Sequence, residues 1–142
     1  MTFRAPVDLA ALNAFARDSL VSHLGIVMTD AGEDWLRATM PVDRRTVQPF
    51  GILHGGASVV LAETLGSMAG NLCVDTTKEM VVGLEINANH LRAMRDGVVT
   101  GTARALHIGR STQVWEIRIE NDDGKPVCIS RLTLAVVPVP KA

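Results

Sequence analysis

Tyrosine is absent from the chain, and phenylalanine and tryptophan bring the aromatic share to only 4% of 142 residues. Aliphatic side chains must therefore build the core. Cysteine is nearly as scarce: Cys73 and Cys128 are too few for a disulfide framework, and neither sits in a CxxC pair. The chain also lacks an excess of either charge. A net charge of −1 argues against a nucleic-acid binder, in which basic residues supply most of the affinity. No apolar leader opens the sequence, so no signal peptide is expected and the chain reads as cytoplasmic. GxGxxG, GxxxxGK, HExxH and GxSxG are all missing, which removes the sequence warrant for nucleotide-fold, P-loop, zincin and α/β-hydrolase chemistry. His23, His54, His90 and His107 have no metal-ligand spacing with cysteine or with one another, so no metal site is expected.

What is present is apolar: 47% of residues are hydrophobic and 20% charged, enough for one domain with a real core. The most apolar stretch, residues 52–74, is interrupted by glycines and serines and carries Glu63 near its centre. It is expected to be a helix buried in protein on every side, not a membrane span. Asp8 is a candidate N-cap for an earlier amphipathic helix whose apolar side holds Leu9, Leu12, Phe15, Ala16 and Leu20 and which ends before Gly25.

Alternating patterns predict strands over residues 26–29, 35–42, 82–89, 98–106, 115–120 and 127–137, with Asp30-Ala31-Gly32 and Asn121-Asp122-Asp123-Gly124 as turns. The order is helix, two strands, buried helix, four strands. Short turns between the late strands require antiparallel pairing. The expected class is α+β: one curved antiparallel sheet wrapped around one long central helix. Two layers leave the outer face of the sheet to solvent or to another subunit.

The chemical signal lies in residues 48–56, QPFGILHGG, followed by Glu63 and Ser67. Glycines opening a helix expose backbone N–H groups with no partner inside it, which suits an oxygen gaining negative charge. Gly55 and Gly56 would let a carbonyl approach closely, or would simply permit tight packing at a helix start. Glu63 is costly to ionise on a buried helix, so it is either a structurally satisfied carboxylate or one set up for a task. Ser67 follows one turn later on the same face. Cys73 falls near the negative end of the helix dipole and reads as core.

Eight residues of helix separate Gly55 from Glu63, about 12 Å at 1.5 Å per residue. One carbonyl cannot touch both within one helix. If both act on one substrate, the helix start comes from one subunit and Glu63 from another.

Residues 48–68, QPFGILHGGASVVLAETLGSM, resemble the hotdog-fold acyl-CoA thioesterases, in the 4-hydroxybenzoyl-CoA branch that places a glutamate on the central helix. The similarity runs over nearly the whole chain. It implies Glu63 as nucleophile or general base, and the Gly55 amide, helped by Gln48 and His54, as the group polarising the thioester carbonyl. It further implies Ser67 positioning water or the carboxylate, with Met68 and His90 on the acyl pocket. Leu91, Arg92 and Ala93 would lie at the substrate mouth, where the sequence departs from the family pattern. His107-Ile108-Gly109-Arg110-Ser111-Thr112 resembles the turn on which pantetheine and nucleotide lie. Arg92 and Arg110 are phosphate candidates and Gly83 leaves room for pantetheine. His90 shares the parity of Val82, Leu84, Ile86 and Ala88, so an unbroken strand would aim it inward.

The activity implied is hydrolysis of acyl-CoA or acyl-carrier-protein thioesters, aryl-CoA included, to acid and thiol. No cofactor is expected, coenzyme A being part of the substrate. The implied partner is a second copy, a homodimer forming the sites and a homotetramer above it, with neither nucleic acid nor membrane. Two alternatives remain at this stage: a non-catalytic acyl-CoA-binding module, and a hotdog hydratase or dehydratase using His54 with Glu63.

Overall fold

A computed structural model describes residues 2–141. Helix α1 (Leu9–Phe15) starts where expected, with the Asp8 carboxylate accepting from the Ala11 N–H at 3.0 Å. It does not continue to Leu20. Asp18 adopts a left-handed φ of 57° that breaks the helix, and Ser19 caps a separate short helix, α2 (Leu20–His23), in a reciprocal capping box with Ser22. The break carries Leu20 off the expected apolar stripe; Leu20 is 56% exposed, and Phe15, the last residue of α1, is 84% exposed. Asn13 ties α1 to the sheet, donating to the Met28 carbonyl at 3.0 Å and accepting from the Met28 N–H at 2.8 Å.

Strands β1 (Val27–Ala31) and β2 (Trp35–Pro41) precede helix α3 (Gly55–Asn71). After it come β3 (Glu79–His90), β4 (Val98–Ile108), β5 (Thr112–Glu120) and β6 (Pro126–Pro138). All pairings are antiparallel, in the order β1-β2-β4-β5-β6-β3. The four late strands therefore do not pair simply in sequence. Residues 91–97 carry the chain from β3 at one edge to β4 in the interior, and β3 pairs only with β6.

Helix α3 lies in the hollow of the sheet. Its inward side, including Leu61, Ala62, Leu65 and Ala69, is fully buried with Leu36, Met40, Trp115, Ile117 and Leu132. A side chain at Gly66 would put its Cβ 2.5 Å from a methyl of Leu132, so this close approach of helix to sheet requires glycine. Buried Gln113 is satisfied at both ends, donating to the Gly70 carbonyl and accepting from the Trp115 indole N–H at 2.9 Å. The expectation that α3 is enclosed on every side is only half met. Val59, Val60, Glu63, Thr64, Ser67 and Met68 on its other side are half-buried, because one sheet covers one side and two short helices cover the other incompletely. On the far face of the sheet, Arg37 and Arg104 stack on Trp35, and Arg118 pairs with Glu116 at 3.4 Å.

Strand β3 is not unbroken. Gly83 pairs with Leu134 and Glu85 with Thr133, leaving Leu84 as an extra residue in a bulge. Val82 and Leu84 consequently face outward, 37% and 61% exposed, whereas Ile86 and Ala88 pack on the core. The parity expected to join Val82 and Leu84 to His90 is therefore wrong for those two residues. The bulge inverts the alternation and puts Gly83 and His90, seven positions apart, on one side.

Candidate functional site

His54 is the N-cap of α3, and its Nδ1 accepts from the Gly56 N–H at 2.8 Å. The Ala57 and Ser58 N–H groups donate to the His54 carbonyl at 3.0 and 3.3 Å. Gly55 is left: among the described residues its N–H has no hydrogen-bond partner. The cap thus satisfies the neighbouring amides and leaves one donor, at the positive end of a 17-residue helix, on a residue that lines an adjacent cleft.

That cleft, about 400 Å³, is lined by Gln48, Gly55, Ser58, His90, Leu91, Arg92 and Ala93 among others. The Gln48 side-chain oxygen accepts from the Phe50 N–H. Since that donor needs an acceptor, the amide NH₂ of Gln48 is the end left for a ligand. The His90 imidazole lies over the helix start, its Nε2 2.8 Å from where a Cβ of Gly55 would be. Arg92 belongs to this cleft. Buried Ser58, in the first turn of α3, lines it as well; reading the sequence missed it, although its position one turn beyond Gly55 was the available signal.

Glu63 lies elsewhere. Its carboxylate rests against Gly83, where a Cβ would come within 2.7 Å of Oε2. Glu63, Ser67 and Met68 line a second cleft with Phe15, Leu20, Val21, Val60, Thr64 and Asn71. Among the described residues, no hydrogen bond or ion pair engages the Glu63 carboxylate, and Glu63 and Ser67 share the cleft without bonding to one another. The Asn71 amide anchors the end of the helix, donating to the Ser67 carbonyl and accepting from the Val81 N–H of β3, both at 3.1 Å.

The turn from His107 to Thr112 joins β4 to β5, with the Gly109 N–H donating to the Thr112 carbonyl at 2.8 Å and the His107 ring folded over Gly109. Ile108, Gly109 and Arg110 line a third cleft with Arg4, Cys73, Asp75, Lys78 and Glu79. Arg92 and Arg110 are therefore not neighbours on one cleft of the protomer. Arg4 and Lys78 are cations beside Arg110 that no motif signalled. Burial pushes the Cys73 thiol up to about 11, and its Sγ donates to the Ala69 carbonyl at 3.4 Å, so it is not a thiolate nucleophile at neutral pH. Among the described residues no group of three or more His, Cys, Asp or Glu side chains could hold a metal ion, and no helix is long and apolar enough to cross a membrane.

Within one protomer, then, the free amide with Gln48 and His90 occupies one cleft, and the carboxylate with Ser67 and Met68 occupies another. A free N–H at a helix start beside an amide NH₂ suits a carbonyl developing negative charge. An unpartnered half-buried carboxylate suits a base or a nucleophile.

Comparison with known proteins gives this arrangement a context. Residues 50–128 match a family model described as the thioesterase superfamily. The chain is similar to a Pseudomonas aeruginosa thioesterase crystallised as a glutamine-to-alanine variant, with a TM-score of 0.96, 58% identity, and coverage of 98% of this chain and 100% of that one. It is 52% identical to the 1,4-dihydroxy-2-naphthoyl-CoA hydrolase of Escherichia coli over 137 residues, 96% of this chain and all of that protein. A Staphylococcus aureus protein, solved in separate structures as glutamate-to-alanine and glutamine-to-alanine variants, aligns with TM-scores of 0.82 and 0.81. Identities there are 41% and 40%, over 84% of this chain and 99% and 98% of the two others.

Proposed function

We propose, from the premise that this chain belongs to the thioesterase superfamily, has its hotdog fold and hydrolyses thioesters, that two protomers share each active site. Glu63 of one protomer acts on a thioester carbonyl held by the Gly55 N–H and Gln48 amide of the other. As a base, Glu63 takes a proton from water, whose oxygen attacks the carbonyl carbon. The carbonyl oxygen gains charge while the two donors hold it. The C–S bond then breaks, releasing acid and, after protonation, thiol. As a nucleophile, Glu63 would instead form a mixed anhydride that water cleaves. Oxygen-18 water in a single turnover separates the two routes, since direct attack puts solvent label first into Glu63.

The observation carrying this reading is the separation of the two clefts on one protomer. β3 supports it. This strand is a free edge of 12 residues, in which Gly83, the fifth, lies against Glu63 and His90, the last, lies over Gly55. Antiparallel pairing of two such edges centred between Ile86 and Asn87 would set Gly83, and with it Glu63, of one copy opposite His90 and the Gly55 amide of its partner. It would also remove an exposed edge that would otherwise recruit other chains. The Staphylococcus aureus relative lends further support, because its two substituted residues have the same sequence separation as Gln48 and Glu63.

In this reading His54 positions the Gly55 amide by capping Gly56, Ser67 orients the water, and Met68 and His90 face the acyl group. Leu91 and Ala93 form the mouth. Pantetheine passes Gly83 toward the turn from His107 to Thr112, where Arg110 faces phosphate from one protomer and Arg92 from the other. Coenzyme A or an acyl carrier protein bears the acyl group, and aryl-CoA falls within the range, as the name of the Escherichia coli relative suggests.

The test is complementation. Gln48→Ala and Glu63→Ala proteins are each expected to be nearly inactive, and subunits unfolded together and refolded should recover about a quarter of wild-type activity, from one intact site in each mixed dimer. Failure of the mixture to recover activity, with mixed dimers demonstrated by tagging, would rule out the shared site.

A further inference from the structure

Phe15 and Leu20 are large apolar side chains left 84% and 56% exposed, yet both line the cleft that contains Glu63. Their position is built, not frayed. The two hydrogen bonds between Asn13 and Met28 fix α1 on β1. The left-handed Asp18 and the Ser19 cap then turn the chain so that Leu20 and Val21 return to the cleft. The Ile26 N–H closes the far end on the Val21 carbonyl at 3.0 Å.

We infer that the segment from α1 to α2 is the acyl wall of this enzyme, with Phe15 and Leu20 the specificity-determining side chains that touch the acyl group. The inference rests on the assignment of Glu63 as the group that acts on the carbonyl. An acyl chain whose carbonyl lies at Glu63 meets Val60 and Met68 from α3 on one side and Phe15 and Leu20 on the other. Exposed apolar surface that becomes covered by an apolar ligand stabilises the complex at about 25 cal/mol per Å². The lining also defines what is refused. It contains no Lys, Arg or His among the described residues, while Glu63 supplies a negative charge. An acyl chain ending in a carboxylate would meet that charge with no cation from this wall to offset it. The occupant is therefore a neutral, bulky, apolar acyl group, with the flat face of Phe15 available to an aryl ring.

The experiment compares kcat/KM for benzoyl-CoA, acetyl-CoA and succinyl-CoA in the wild type and in Phe15→Ala, Leu20→Ala and Glu63→Gln. Val139→Ala, an exposed apolar site away from the cleft, serves as the control. Phe15→Ala is expected to lower the benzoyl-to-acetyl ratio by about 10- to 100-fold, as loss of a buried aromatic contact implies, and Leu20→Ala by less. The control should leave the ratio unchanged, and succinyl-CoA should be a poor substrate throughout. An unchanged ratio in Phe15→Ala, or efficient succinyl-CoA turnover by the wild type, would overturn the inference. So would a loss of assembly in Phe15→Ala by sedimentation, which would make Phe15 a subunit contact. If Glu63→Gln stays fully active, the assignment of Glu63 falls and the acyl wall falls with it. If Glu63→Gln is inactive and only the ratio fails to move, the acyl wall alone is wrong.

Discussion

At the scale of single residues, the site depends on side chains that are missing. Gly83 is the clearest case, because a methyl group there would sit 2.7 Å from the Glu63 carboxylate oxygen, nearer than carbon and oxygen tolerate. Gly83→Ala is expected to displace the carboxylate and lower kcat by about 100-fold, since misplacing a reacting group by roughly 1 Å costs that much. The melting temperature should change little, because Gly83 lies on an exposed edge. Activity and thermal unfolding measured on one preparation check both halves, and an unaltered kcat would mean that the Glu63 position is not critical. Glu63 and Gly55 could be read from the sequence: one is a carboxylate in an apolar run, the other opens a helix. The contact of Gly83 with Glu63 could not be, because it joins residues on two elements whose register only the folded sheet sets.

At the scale of elements, local signals located helices and strands well and their interruptions badly. Asp8, the His54 cap and the turn at residues 121–124 stand where their side-chain chemistry puts them. The break at Asp18 and the bulge at Leu84 were missed, and for a shared reason. Each overrides a continuous apolar pattern, in one case for a left-handed residue with a new cap and in the other for one unpaired residue. Asp18→Gly is expected to retain full stability, since glycine takes positive φ freely. Asp18→Val should lose about 1–2 kcal/mol, the cost of the left-handed conformation for an ordinary side chain. Urea titrations give the ordering, and equal midpoints for the two variants would show that the break carries no strain.

At the scale of the whole molecule, one protomer carries two separate clefts, one with Gly55 and one with Glu63, and a long free edge strand. The shared-site proposal makes activity a property of the assembly. Specific activity is expected to fall on dilution in step with the fraction of dimer measured by sedimentation, while the rate per dimer stays constant. A monomer with undiminished activity per chain would contradict this. The two alternatives kept open by the sequence fare differently. Membership of the thioesterase superfamily, with relatives named as thioester hydrolases, favours hydrolysis over a non-catalytic module. Within one protomer His54 and Glu63 lie in different places, and the His54 Nδ1 is occupied by the Gly56 N–H. An acid–base pair would therefore have to use the His54 Nε2 across two protomers; water addition to crotonyl-CoA tests that alternative.

The sequence by itself determined the class of fold and the long apolar helix, and it put forward the candidates for the reacting groups. These follow from hydrophobic periodicity, helix-start chemistry and the rarity of a carboxylate in apolar surroundings, all of which are local. The helical rise even required Gly55 and Glu63 to serve different sites unless a second chain took part. Only the tertiary structure decided that β3 lies at the edge, that its bulge turns Gly83 and His90 to one side, and that Phe15 and Leu20 come to border the Glu63 cleft. Those facts depend on which strands pair and in what register. That is set by packing between residues far apart in the chain, where no local pattern carries the information.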